Sequence, residues 1–317
     1  MLKKILGCMF LAMLVLVVGC SSSKKNEKKV EDKKPMVGVL GTFKDGLGYT
    51  VTVDSMKRVG VCSGSLAHLW QLAGGSITAA TDDVFNYKPV SLSAQTINIG
   101  DLKRVNVEQI LDSNLDFIIL SATIPGHEKI RDTLEKAGIT TAYFEIESFE
   151  EYLNVLHIMT SLTGRDDLYQ MNGLKVQEEV KMQIERKNSS HPKILLLQAL
   201  STKIKVQDSS TMTGNMLKDL GCVNVADNDK TLLSSLSLEA ILKENPEYVF
   251  ITIMGEEEQA KQLIQKTIYE DPAWSNLNAI TEKHCYILSK DLFHYKPNQR
   301  WGESYRTLAD LLNYEKN

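Results

Sequence analysis

Two stretches of this chain carry the same pattern of apolar and polar positions. Residues 106–120 read NVEQILDSNLDFIIL and residues 237–251 read SLEAILKENPEYVFI, aligned without a gap. Asn106 and Ser237 are good helix N-caps, and each is followed by a first-turn carboxylate, Glu108 or Glu239, which the helix dipole favours. An Ile-Leu pair supplies an apolar stripe, and Asn114 and Asn245 suit a left-handed helix end. The unbroken apolar run that follows predicts a strand buried on both faces of a parallel sheet. The surroundings repeat as well. Strands are predicted at 58–61, 117–120, 140–145, 193–197, 248–251 and 285–288, and helices at 65–72, 129–137, 213–220 and 260–269. Strands alternating with amphipathic helices predict an α/β fold. Its doubling predicts two similar α/β lobes with largely parallel sheets.

Between the repeats, residues 165–187 contain no proline. Leu168, Met171, Leu174, Val176, Val180, Met182 and Ile184 fall roughly on one side at helical spacing. A helix of about 23 residues would be about 35 Å long at 1.5 Å per residue, enough to join two lobes, with Gly173 a slight weakness.

The first 34 residues follow a different pattern. Lys3 and Lys4 precede an apolar run at 5–18, which ends in Val17-Val18-Gly19-Cys20 and a Ser-rich, Lys-rich tail. A basic start, a short apolar run and small residues before the cut predict a secretory signal; a comfortable membrane span needs about 20 apolar residues. Cysteine directly after the small residue resembles the lipobox of bacterial lipoproteins, which makes Cys20 the lipid-bearing residue. Residues 24–34 are almost all Lys, Glu, Asp and Asn, too polar to bury a core, and are expected to form a solvated tether.

Composition narrows the function. The net charge is -4 over 317 residues, so no basic field points to nucleic acid. Setting aside Cys8 and Cys20 leaves Cys62, Cys222 and Cys285, an odd number without C-x-x-C spacing, which indicates neither a disulfide framework nor a zinc site. A secreted two-lobe α/β hydrolase is the alternative from another class. Ser63-Gly64-Ser65 follows a strand, but Val61 stands where the G-x-S-x-G elbow needs its first glycine. No Walker loop, G-x-G-x-x-G fingerprint or H-E-x-x-H helix is present. A binding protein, not an enzyme, is the expectation.

The Cys20 motif, the two lobes and the linking helix together resemble the substrate-binding lipoproteins of ABC importers, in the rigid-helix class that serves iron–siderophore, haem and cobalamin uptake. The most specific stretches are residues 57–75, the paired NVEQIL and SLEAIL segments, residues 137–165 and residues 291–312. The implied organisation is a signal peptide at 1–19, a lipidated cysteine and tether running into the first strands at 20–50, an N-terminal lobe at 51–160, a linking helix at 161–188 and a C-terminal lobe at 189–317. The resemblance implies a monomer tethered to the outer face of the cell membrane, with a ligand cleft between its lobes and no intrinsic cofactor. Its partners would be an ABC permease with its ATPase, and its cargo an iron complex (ferric siderophore or haem) or, alternatively, a corrinoid. It also implies that Glu108 and Glu239, one per lobe, dock on the permease.

In open α/β sheets ligands bind beyond the carboxyl ends of the strands. That rule selects Ser63, Ser65, Tyr87 and His127 in the first lobe, and Met212, Met254 and the segment 291–301 in the second. His68, in a helix beside Trp70, can face core or cleft. Segment 291–301 is the richest, with His294, Tyr295, Lys296, Arg300 and Trp301. His294 or Tyr295 can ligate iron, and Lys296 and Arg300 can hold carboxylates. Met212 and Met254 are possible soft axial ligands, although methionine more often fills gaps.

Overall fold

Phe117–Ser121 is buried at every position, as its unbroken apolar run requires of a central parallel strand. It lies in a five-stranded parallel sheet with the order Ile97–Asn98, Ala79–Ala80, Val59–Val61, Phe117–Ser121, Thr140–Phe144. The second sheet centres on Lys193–Ala199. This strand pairs in parallel with Tyr248–Ile253, which pairs in parallel with Cys285–Ile287. On its other side it meets the short parallel strand Val223–Asn224 and the antiparallel strand Ile204–Gln207. The computed structural model describes residues 39–186, 190–229, 231–234 and 236–313. The signal, the tether up to residue 38 and Cys20 lie outside the described residues.

The repeated helices form as their caps dictate. Asn106 Oδ1 accepts the Gln109 N–H at 3.0 Å, and Ser237 Oγ accepts that of Ala240 at 3.4 Å. Asn114 (φ 49°) and Asn245 (φ 45°) end the two helices in the left-handed region, which asparagine tolerates better than most side chains. Ahead of the first sheet, Gly41–Lys44 and Thr50–Val53 form an antiparallel hairpin. The carboxylate of Asp45 ties it down by accepting the N–H groups of Leu47, Tyr49 and Tyr143.

The lobes are joined through helix Phe149–Thr163, which Gly164 ends at φ 70°, and then through the long helix. The latter runs as Asp166–Tyr169, a π-helical turn at Gln170–Leu174, and Lys175–Glu185. The wide turn shifts the side-chain register, so the expected apolar stripe is narrower than its spacing suggests: Val176 and Val180 are buried, whereas Met171 is 60% and Met182 53% exposed. Gly173 sits inside this turn, where a Cβ would meet the Tyr169 ring at 3.0 Å and Leu156 at 3.2 Å. The helix is anchored at both ends. Asn172 Nδ2 donates to Leu72 O at 2.9 Å in the first lobe. The buried Arg186 pairs with Asp310 at 2.7 Å on the C-terminal helix Trp301–Leu311.

Candidate ligand-binding cleft

The carboxyl ends of both sheets open onto one cavity of about 630 Å3 between the lobes, within the usual size range of small-molecule sites. From the first lobe come the turn after Val59–Val61, with Ser63 and Ser65, and the ends of the Phe117–Ser121 and Thr140–Phe144 strands. From the second come the start of helix Met212–Asp219, Met254 beyond Tyr248–Ile253, and the segment Phe293, His294 and Lys296. Six residues singled out from the sequence therefore meet here: Ser63, Ser65, Met212, Met254, His294 and Lys296.

His294 follows the short helix Lys290–Phe293, to which its N–H is tied through Lys290 O at 3.0 Å. Burial, helped by the nearby Lys290 and Lys296 cations, pushes its imidazole down to about 4. It is therefore neutral at neutral pH, with a lone pair available to a metal. Met254 is 37% exposed, whereas Met212 is only 4% exposed at the cleft wall. Among the described residues no group of three His, Cys, Asp or Glu side chains converges as a metal cage. The cleft offers single donor atoms and no cage among the described residues.

Glu147 is a cleft residue that the sequence reading did not single out. Glu147 Oε1 pairs with Lys296 Nζ at 2.7 Å, its Oε2 accepts the Met212 N–H at 3.0 Å, and its carbonyl accepts Asn215 Nδ2 at 3.1 Å. It sits just beyond the carboxyl end of Thr140–Phe144, so the strand-end rule applied to that strand selects it. Its neighbour Glu145 is held above the usual carboxylate range by burial and by Glu151 and Glu147. Lys103 and Lys296 oppose these carboxylates, so among the described residues the charges lining the cleft nearly cancel, and no arginine lines it.

Four other predicted residues fall elsewhere. His68, Tyr87, Tyr295 and Arg300 line a second cavity of about 340 Å3 that, among the described residues, shares only Lys296 with the cleft. Arg300 also pairs with Glu303, through Nε at 2.7 Å and Nη2 at 3.0 Å.

Two expectations are corrected. His127 is buried, and both ring nitrogens are occupied by backbone: Nδ1 accepts the Ser121 N–H at 3.1 Å, and Nε2 lies 2.7 Å from Leu102 O. Nδ1 must therefore be unprotonated, and the ring braces the loop instead of facing a ligand. Trp301 is fully buried. Its indole packs against Phe149, Tyr152 and Tyr305 with ring centroids 5.7–6.3 Å apart, which makes it core. Glu108 and Glu239 are exposed in the first turns of their helices.

The sequence profile of the periplasmic binding protein family (Peripla_BP_2) matches residues 61–292. The chain belongs to this family. It is 24% identical over 312 residues to the iron-uptake system-binding protein of Bacillus subtilis, covering 92% of each chain. It is 28% identical over 141 residues to the high-affinity heme uptake system protein IsdE of Staphylococcus aureus, spanning 48% of that relative's length and 43% of this chain. The structure of S. aureus IsdE complexed with heme superposes with a TM-score of 0.64 at 17% identity, covering 80% of this chain and 98% of that one. The triscatecholate siderophore binding protein FeuA from B. subtilis, complexed with Ferri-Bacillibactin, gives a TM-score of 0.65 at 19% identity, covering 87% and 99%. These structural likenesses establish the fold: two α/β lobes with a cleft between them.

Proposed function

We propose that this protein is the Cys20-lipidated, extracytoplasmic substrate-binding protein of an ABC importer, and that its cleft captures haem as cargo. The observation that carries the reading is His294, a neutral imidazole on the cleft wall. Haem iron has axial positions free for such a donor, and Met254 or Met212 can supply a second, softer one. Apolar wall residues such as Leu66, Ile124 and Phe293 suit the macrocycle. Lys103, on the cleft wall and with no carboxylate partner among the described residues, would receive a propionate. The iron-uptake and heme-uptake relatives support an iron complex as the cargo class.

A ferric siderophore is the second reading, favoured by the many hydroxyl and amide groups on the wall, among them Ser63, Ser121, Thr211 and Gln198. Its negative charge would meet a cleft whose own charges nearly cancel, which ranks it below haem. Glu108 and Glu239 are assigned to permease docking, one per lobe, where charge complementarity fixes orientation more than affinity. The test is to titrate the full-length protein with haem and with a ferric tris-catecholate and to follow absorbance and protein fluorescence. Saturable, stoichiometric binding of haem supports the reading. Binding of the catecholate alone selects the second reading, and binding of neither refutes both.

A further inference from the structure

The smaller cavity differs in chemistry from the cleft. Its walls come from both lobes: His68 and Tyr87 from the first, Tyr295 and Arg300 from the second. The rings are arranged around one another, with Tyr87 and Tyr295 edge-to-face at 5.4 Å and His68 edge-on to Tyr87 at 6.2 Å. Tyr87 is backed by Gly64, where a Cβ would meet its ring at 2.9 Å, so that wall is held close. Aromatic faces and edges of this kind receive another flat ring favourably.

Charge defines the rest. Four cations line the cavity, Lys88, Lys290, Lys296 and Arg300, against Glu257 and Asp291. Three of these six are paired elsewhere: Lys296 with Glu147, Arg300 with Glu303, and Glu257 with Lys261. Lys88 and Lys290 then face one carboxylate, Asp291, which leaves a single net positive charge. Lys290 Nζ donates to Gly255 O at 2.8 Å and lies 5.7 Å from the Tyr295 ring centroid, so its position is fixed. Arg300 uses Nε and Nη2 on Glu303, and the Nη1 donors of its guanidinium remain for another acceptor. Lys88 is exposed and carries no partner among the described residues.

We propose that this cavity, which adjoins the cleft at Lys296, is a further binding site for a small aromatic monocarboxylate. The carboxylate is received by Lys88 and Arg300 and the ring by Tyr87 and Tyr295. The group is either a free aromatic acid or a carboxylate-bearing ring of a larger cargo that extends past Lys296, the wall shared with the cleft.

Benzoate is the probe, titrated calorimetrically into the full-length protein without haem, so the result is independent of what the cleft carries. Saturable binding with one site per chain is expected. Lys88→Gln, at an exposed position that leaves the fold intact, should weaken it about tenfold, in keeping with loss of a charge-assisted contact. Tyr295→Leu should weaken it as well, and the cleft variant Met254→Leu should leave it unchanged. Repeating the titration with the cleft loaded separates the sources: displacement of benzoate identifies a ring of the cargo, and undisturbed binding identifies a free acid. The absence of saturable binding in the millimolar range overturns the proposal. So does binding that is lost in Met254→Leu and kept in Lys88→Gln.

Discussion

Lys296 Nζ lies 2.7 Å from Glu147 Oε1, and this pair fastens the loop entering the inter-lobe helices to the loop of the second lobe that carries His294 into the cleft. Both side chains are partly shielded, at 23% and 32% exposure. Glu147 also holds the start of helix Met212–Asp219 through the Met212 N–H. Replacing Glu147 with Ala removes a charge-assisted bond and a helix-start acceptor together, at a cost of about 1–2 kcal/mol. Glu147→Gln should lose less, because an amide oxygen can still accept the Met212 N–H. Urea denaturation of the apo protein measures both. Equal midpoints for wild type and Glu147→Ala would deny the pair any structural weight.

Acid should loosen the apo protein before it reaches the carboxylate range. Burial holds His68, His127 and His294 below the ordinary histidine value of 6.5, His294 at about 4. Between those values the unfolded chain binds more protons than the folded one, so stability falls as pH falls. Glu145, raised by burial and its acidic neighbours, acts in the opposite sense and offsets part of the loss. The melting temperature should decline from pH 7 to pH 5. The decline should be shallower in His127→Gln, which removes one buried imidazole. A melting temperature that rises over that interval would contradict this balance.

Trp301→Ala is expected to cost about 3–5 kcal/mol, the usual penalty for emptying a large aromatic site in a core. Thermal melts should show that loss, while the fraction that remains folded keeps its ligand affinity. Unchanged stability with lost binding would return the indole to the cleft.

How far the sequence could be read depended on whether a feature was local. The helix caps at Asn106 and Ser237, the left-handed ends at Asn114 and Asn245 and the apolar strand cores all follow from neighbouring residues, and all appear in the structure. The π-helical turn was not legible: Gly173 lies where a Cβ would crowd the Tyr169 ring and Leu156 of the preceding helix, and the spacing of apolar residues does not announce that packing. The same held for the site. The strand-end rule brought His294, Met254 and Ser65 to one cleft, but no pattern showed that Lys296 would separate them from Tyr87 and Arg300. His127 looked available because the sequence does not reveal that Leu102 O and the Ser121 N–H would take both its nitrogens.

The docking assignment predicts a separation of functions. Glu108 and Glu239 are exposed at matching helix starts and do not line the cleft. Changing both to Ala should leave the dissociation constant for haem nearly unchanged while strongly reducing ligand-stimulated ATP hydrolysis by the reconstituted transporter. Full stimulation by the double variant would leave the two carboxylates as helix-start residues, worth about 0.3–1 kcal/mol each to their helices.

The central claim is that His294 meets the iron of a haem held in the cleft. The most direct measurement is the absorption spectrum of the full-length protein loaded with ferric haem, compared with that of His294→Ala. The account predicts that the substitution shifts the Soret band and weakens haem binding, since an axial donor is lost. It also predicts that the wild-type spectrum holds from pH 8 down to about 5, because the proton competes for this imidazole only near 4. Identical spectra and affinities in the two proteins would contradict it.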